Sequence, residues 1–106
     1  MKEFEINNIQ LKIQTSKLDE DGKISNYIIE QIEALGKKYS RINKCEAYLK
    51  LMKNDKKMNC LVEVKLFVPG QSLIAIDNQQ TFKLASKMVF DDLKKQLVRF
   101  KEKISE

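Results

Sequence analysis

"NKCEAYLKLMK", residues 43–53, and "MNCLVEVKLFV", residues 58–68, decide the fold of this chain. In the first, Cys45, Ala47, Leu49 and Leu51 fall on one side; in the second, Cys60, Val62, Val64, Leu66 and Val68 do. Alternation at period two marks strands with one buried face. The polar "NDKK" between them reads as a turn, so the two runs predict a long antiparallel hairpin. Setting Lys53 opposite Met58 makes paired residue numbers sum to 111. Cys45 then lies opposite Leu66 and Cys60 opposite Leu51, about six residues apart along the sheet. At ~3.3 Å per residue no disulfide can join them. Both thiols read as small buried hydrophobes in a reducing compartment.

Working outward, "PG" at 69–70 ends the ladder, and "SLIAID" (72–77) is a short further strand. Thr81 is placed to cap a long helix reaching about Ile104. On the other side, "IQLKIQT" (9–15) alternates, with Ile9, Leu11 and Ile13 on one face. "DEDGK" follows, where Asp19 or Asp21 can cap a helix. Ile24, Ile28, Ile32, Leu35 and Tyr39 recur at three- and four-residue spacing, predicting an amphipathic helix over 22–39. Gly36 weakens its last turn by ~1 kcal/mol relative to Ala.

The order β-α-β-β-β-α describes an α+β domain with a four-stranded mixed sheet and both helices on one face. The first strand, helix and second strand form a parallel crossover. The other face is left open, with Gln10, Lys12, Glu46, Tyr48, Lys50, Glu63, Lys65 and Phe67 on it. One hundred and six residues suit one domain, here 9–106. Residues 1–8, "MKEFEINN", precede it as an N-terminal extension; Phe4 and Ile6 either lengthen the first strand or belong to a mobile end.

The formal charge of +5 hides a division. Residues 1–36 hold four Lys against seven Asp/Glu, net −3, while 37–106 hold sixteen Lys/Arg against eight Asp/Glu, net +8. Segregation of this kind points to a polyanionic partner for the basic part. An evenly solvated Lys-rich surface is the competing reading. With no histidine and no CxxC, zinc binding and His-based acid–base or nucleophilic chemistry lack their usual groups. Asp91–Asp92 point ~100° apart on a helix and suit surface pairing with Lys87 and Lys95 better than catalysis. No enzyme, metal or cofactor is expected. No apolar run approaches the ~18 residues of a membrane span and no signal-peptide core is present, so a cytoplasmic protein is expected.

The distribution of the cations sharpens the reading. On a helical wheel centred on Leu93, Phe82, Val89, Leu97, Phe100 and Ile104 form the sheet-facing stripe. Lys83, Lys87, Lys94 and Lys101 gather on one flank, Arg99 and Lys103 on the other, with Lys95 outermost. A second cluster, Lys37, Lys38, Arg41 and Lys44, follows the first helix, and one or two of these simply oppose the helix dipole. Side-by-side helices would join the clusters into a groove for phosphates, with Tyr39 placed for a stacking or sugar contact. The apolar stripe is needed to cover the sheet, so membrane binding is disfavoured.

Further residues carry a resemblance across Ile9 to Lys103: "IQTSKLDEDGKI" (13–24 within strand and helix one), "YSRI" (39–42), "CEAYLKL" (45–51), "VEVKLFVPG" (62–70), "TFKLA" (81–85) and "LKKQLVRFKEK" (93–103). In combination they resemble the ribosome hibernation promoting factor family, which includes ribosome-associated inhibitor A and the older label sigma-54 modulation protein. The resemblance implies the same fold, related in layout to double-stranded-RNA-binding domains. It also implies binding to the small ribosomal subunit and its rRNA between head and body. There the protein would overlap the decoding-region sites of mRNA and tRNA and hold idle ribosomes inactive in starvation or stationary phase. Neither DNA nor membrane is an expected partner.

By position, Lys94 and Lys95 match the family's basic pair before Gln-Leu; Arg99, Lys101 and Lys103 match the basic tail; Lys37, Lys38 and Arg41 match the corner after the first helix. Lys87 joins these candidate RNA contacts from helix geometry alone. Lys83 and Lys87 stand where many relatives have acids, and the front extension is unusual for a short member. The chain ends at Glu106 without the linker and dimerising second domain of long relatives, so a short form is expected, with any ribosome pairing left to a separate factor. A general structured-RNA-binding or RNA-chaperone domain is the alternative.

Overall fold

The computed structural model describes residues 2–15, 22–52 and 59–104. Its elements are β1 (Lys2–Ile6), β2 (Ile9–Gln14), α1 (Lys23–Lys38), β3 (Lys44–Leu51), β4 (Cys60–Val68), β5 (Gln71–Gln79) and α2 (Phe82–Ile104). The strands lie in sequence order across one sheet, with β2 parallel to β3 and every other neighbouring pair antiparallel. The expected hairpin register is present: Cys45 faces Leu66 and Leu51 faces Cys60. Its turn, 53–58, lies outside the described residues, as do Asp19 and Asp21. The N-cap of α1 is Gly22, held at φ 72°.

The four-strand expectation is corrected to five. Lys2–Ile6 is a full antiparallel neighbour of β2, with Phe4 facing Leu11 and Ile6 facing Ile9. The connection is two residues, Asn7 (φ 50°) and Asn8 (φ 69°), both left-handed. That is the conformation of a tight hairpin turn whose twist matches the strands, and asparagine tolerates it better than most residues. The strand is also tied to α1, since Lys2 Nζ donates to Ser25 Oγ at 3.3 Å. The final strand likewise runs further than 72–77, because Gln71–Gln79 pairs with β4 along its whole length.

A test follows at the turn. Both asparagines are exposed, so a substitution there acts mainly through the backbone. Asn8→Val should lower the unfolding free energy by ~1–2 kcal/mol, the cost of forcing a side chain branched at Cβ into the left-handed region. Asn8→Gly should not lower it. Urea midpoints of the two variants measure the difference; equal losses would remove the left-handed turn.

The core lies between the sheet and the helices. Ile9, Leu11 and Ile13 of β2, Cys45 and Ala47 of β3, Val62, Val64 and Leu66 of β4, and Leu73 and Ala75 of β5 all point to the helix side and are buried. α1 lies against β1 and β2, α2 against β4 and β5, and the helices touch each other. Gly36 has a packing reason that propensity alone misses: a Cβ there would come within 2.9 Å of Ile9 Cδ1, so its absence lets the last turn of α1 settle onto the sheet. α2 buries Ala85 and Phe90 in addition to the expected stripe, because it faces α1 as well as the sheet. Thr81 caps it, its Oγ1 accepting from Leu84 N at 3.1 Å.

Candidate nucleic-acid interface

Two surfaces compete for a polyanion, and their charge patterns separate them. On the open face, strand register sets Glu3 beside Lys12, Lys12 beside Glu46 and Glu46 beside Lys65. Opposite signs alternate across the strands, which stabilises the sheet and leaves little net field. Glu46 shows how tightly this is knit. Lys44 Nζ lies 3.2 Å from its carboxylate and Tyr48 OH donates to it at 3.1 Å. Burial works against the charged form, but these hydrogen bonds and the charge of Lys12 prevail and hold the carboxyl below its usual pKa. Lys44 and Lys65 also approach the Phe67 ring, at 5.3 and 4.9 Å from its centroid. A phosphate chain would meet as many carboxylates as amines here.

The helix side differs. Where α1 ends, Tyr39 N donates to Leu35 O at 2.8 Å and the chain turns toward β3. Tyr39 and Ile42 are buried (8% and 4% exposed), so the residues between and before them, Lys38, Ser40 and Arg41, are turned outward. At the far end of α2 the burial of Leu97 and Phe100 does the same for Lys101. These two ends meet around a surface cleft of about 320 Å³, lined by Lys38, Tyr39, Ser40, Arg41, Leu97, Phe100 and Lys101 among others. Lys38 Nζ is 5.6 Å and Lys101 Nζ 5.7 Å from the centroid of the Tyr39 ring. The ring's negative π-face thereby steadies two cations that would otherwise repel. Being buried, Tyr39 forms the cleft's floor and offers no open platform for stacking a base.

A shallower cleft of about 160 Å³ lies across the same end of α2, lined by Gln71, Leu73, Gln96, Arg99, Phe100 and Lys103. Phe100 borders both clefts, so the last turns of α2 stand between two cationic hollows. The structure therefore brings Lys38, Arg41 and Lys101 together and sets Arg99 and Lys103 on the opposite flank of the same helix end. Lys37, Lys87, Lys94 and Lys95 are exposed and line neither cleft. Asp91 and Asp92 are exposed too, but neither closes the expected ion pair with Lys87 or Lys95 among the described residues.

Ser40, Gln71 and Gln96 are site residues that sequence reasoning passed over. Only Gln96 carried a signal, its place on the shoulder of the α2 wheel; the clefts themselves depend on tertiary contacts. Among the described residues no three Cys, Asp or Glu side chains gather as metal ligands would. No helix there is long and apolar enough to cross a membrane. Both cysteines are free and buried, and burial pushes the Cys45 thiol pKa upward, keeping it protonated and unreactive.

Comparison with known proteins bears on this geometry. Residues 11–105 match the family model described as sigma 54 modulation protein / S30EA ribosomal protein. Among solved structures, the chain is similar to a ribosomal subunit interface protein from Coxiella burnetii. The TM-score is 0.60 at 17% identity, covering 89% of this chain and 97% of that one. This likeness speaks for the fold. No curated protein matches the chain significantly.

Proposed function

The chain belongs to the sigma 54 modulation protein / S30EA ribosomal protein family, and from that premise we propose that it is a ribosome-binding factor that silences idle ribosomes. In this reading it binds the small subunit and its rRNA near the decoding region, excludes mRNA and tRNA, and limits translation in stress or stationary phase. The layout likeness to double-stranded-RNA-binding domains belongs to the same reading. The observation that carries it is the cation-lined cleft where the corner after α1 meets the end of α2, with Lys38 and Lys101 on one tyrosine ring. Fixed ammonium and guanidinium groups at such a hollow suit phosphates held in a folded RNA. Lys37, Lys38, Arg41, Lys87, Lys94, Lys95, Arg99, Lys101 and Lys103 are the proposed contacts, the clefts fixing position and the remainder adding long-range attraction. No chemical step is part of this function.

Pelleting with purified subunits tests it. The protein should sediment with small subunits and not with large ones, and excess unrelated duplex RNA should displace it poorly. Reversing charge at Lys94, Lys95 and Arg99 together should weaken the association while the thermal midpoint stays nearly unchanged. Easy displacement by unrelated duplex would instead make this a general structured-RNA-binding domain. Unaltered pelleting at moderate salt would remove those three residues from the site.

A further inference from the structure

The sheet has two outer strands, and they are defended differently. Within its five residues β1 carries Lys2, Glu3 and Glu5, charges that discourage another strand from pairing there. β5 carries none over "QSLIAI", residues 71–76, and Ile74 and Ile76 are 44% and 57% exposed on the open face. An uncharged run of this length, rich in residues that favour strands and free of proline, is the kind of edge that recruits another strand.

One contact interrupts that edge. Gln96 Nε2, from α2, donates to Ile74 O at 2.9 Å. A carbonyl engaged by a helix side chain faces off the sheet. By the alternation of antiparallel strands, Ser72, Ile74 and Ile76 then aim their backbone groups outward. Beyond them the edge is closed again, because Asn78 N donates to the Asp77 carboxylate at 2.9 Å. The open portion is short, apolar, and has Gln96 at its centre.

We propose that the edge of β5 is a recognition surface for a second copy of this chain, held closed by Gln96. The occupant follows from self-complementarity. Two β5 edges meeting antiparallel about a twofold axis at Ala75 would exchange backbone hydrogen bonds between Ile74 of one copy and Ile76 of the other. Their side chains would share one face, so four half-exposed isoleucines would cover one another. No charge on 71–76 opposes the approach. Every register centred on this run needs the Ile74 carbonyl of both copies, so two Gln96 contacts must open for each dimer formed.

Sedimentation equilibrium over ~10–500 µM tests this, with wild type beside Gln96→Ala, an exchange that alanine's helix preference favours. At a factor of about three to ten per hydrogen bond released, and two per dimer, Gln96→Ala should dimerise on the order of 10- to 100-fold more tightly. Ile74→Lys, added to Gln96→Ala, should abolish the gain by placing like charges across the new contact. Each copy carries +5, so self-association should strengthen with salt, opposite to the binding of RNA. Identical association of wild type and Gln96→Ala would overturn the proposal. So would association that survives Ile74→Lys, because the contact would then lie elsewhere.

Discussion

Replacing Phe90 with alanine is expected to lower the thermal midpoint by roughly 15–30 °C. Phe90 heads the fully buried side chains by size. Phe-to-Ala truncation in a core costs about 3–5 kcal/mol, part in lost transfer energy and part in the cavity left behind. For a domain of this length each kcal/mol moves the midpoint by about 4–8 °C. A second loss adds to this. The Phe90 ring meets Tyr27 of α1 edge-on, with centroids 6.4 Å apart and planes at 74°. Such pairs contribute ~0.5–1.5 kcal/mol beyond burial. Tyr27 gives an independent readout, because burial and the nearby Asp91 charge raise its pKa. Removing the ring beside it should let in water and bring that titration back toward the ordinary value. Phe90→Leu, which keeps most of the volume, should lose much less. A midpoint drop under ~5 °C for Phe90→Ala would mean that the helices are not joined through this ring.

Phe90 also shows where the sequence could be read and where it could not. A wheel centred on Leu93 gives the side of α2 facing the sheet, and Val89, Leu97 and Phe100 are buried as it requires. It does not reveal that a second helix lies alongside, which widens the buried arc to include Ala85 and Phe90. Ser86 lies within the stripe itself, about 20° from Leu93 on the wheel, and among the described residues its buried hydroxyl has no hydrogen-bond partner. The β3–β4 hairpin was legible down to register because two long alternating runs and a short polar turn leave only one pairing that buries both apolar faces. β1 was not. Five residues, three of them charged, give a weak pattern, and its turn is Asn-Asn where Asn-Gly would have been the stronger signal. For the site, helical angles correctly sent Lys101 and Arg99 to opposite flanks of α2. That Lys101 would share an aromatic ring with Lys38 is a meeting of two chain segments, which no local pattern encodes.

That meeting can be tested against net charge alone. Neutralising the cleft with Lys38→Gln, Arg41→Gln and Lys101→Gln removes three positive charges. So does Lys12→Gln, Lys50→Gln and Lys65→Gln on the open sheet face. If the proposed binding to the small subunit depended only on overall charge, both triple variants would weaken equally. If the cleft holds phosphates, its three contacts should each take ~0.7–0.9 from the slope of log K against log salt, about 2–3 in total. With binding at 1 M salt unchanged, a slope loss of that size at about 0.1 M means an affinity about 100- to 1,000-fold lower. The sheet-face triple should leave the slope nearly intact, since its lysines sit among Glu3, Glu46 and Glu63 and would neutralise no phosphate. Thermal midpoints guard the comparison, and the cleft triple should remain within a few degrees because Lys38, Arg41 and Lys101 are exposed. Equal losses in slope would assign the attraction to net charge and leave the cleft without a special role. An unchanged slope in the cleft triple would place the phosphates elsewhere, with the flank of Arg99 and Lys103 next in line.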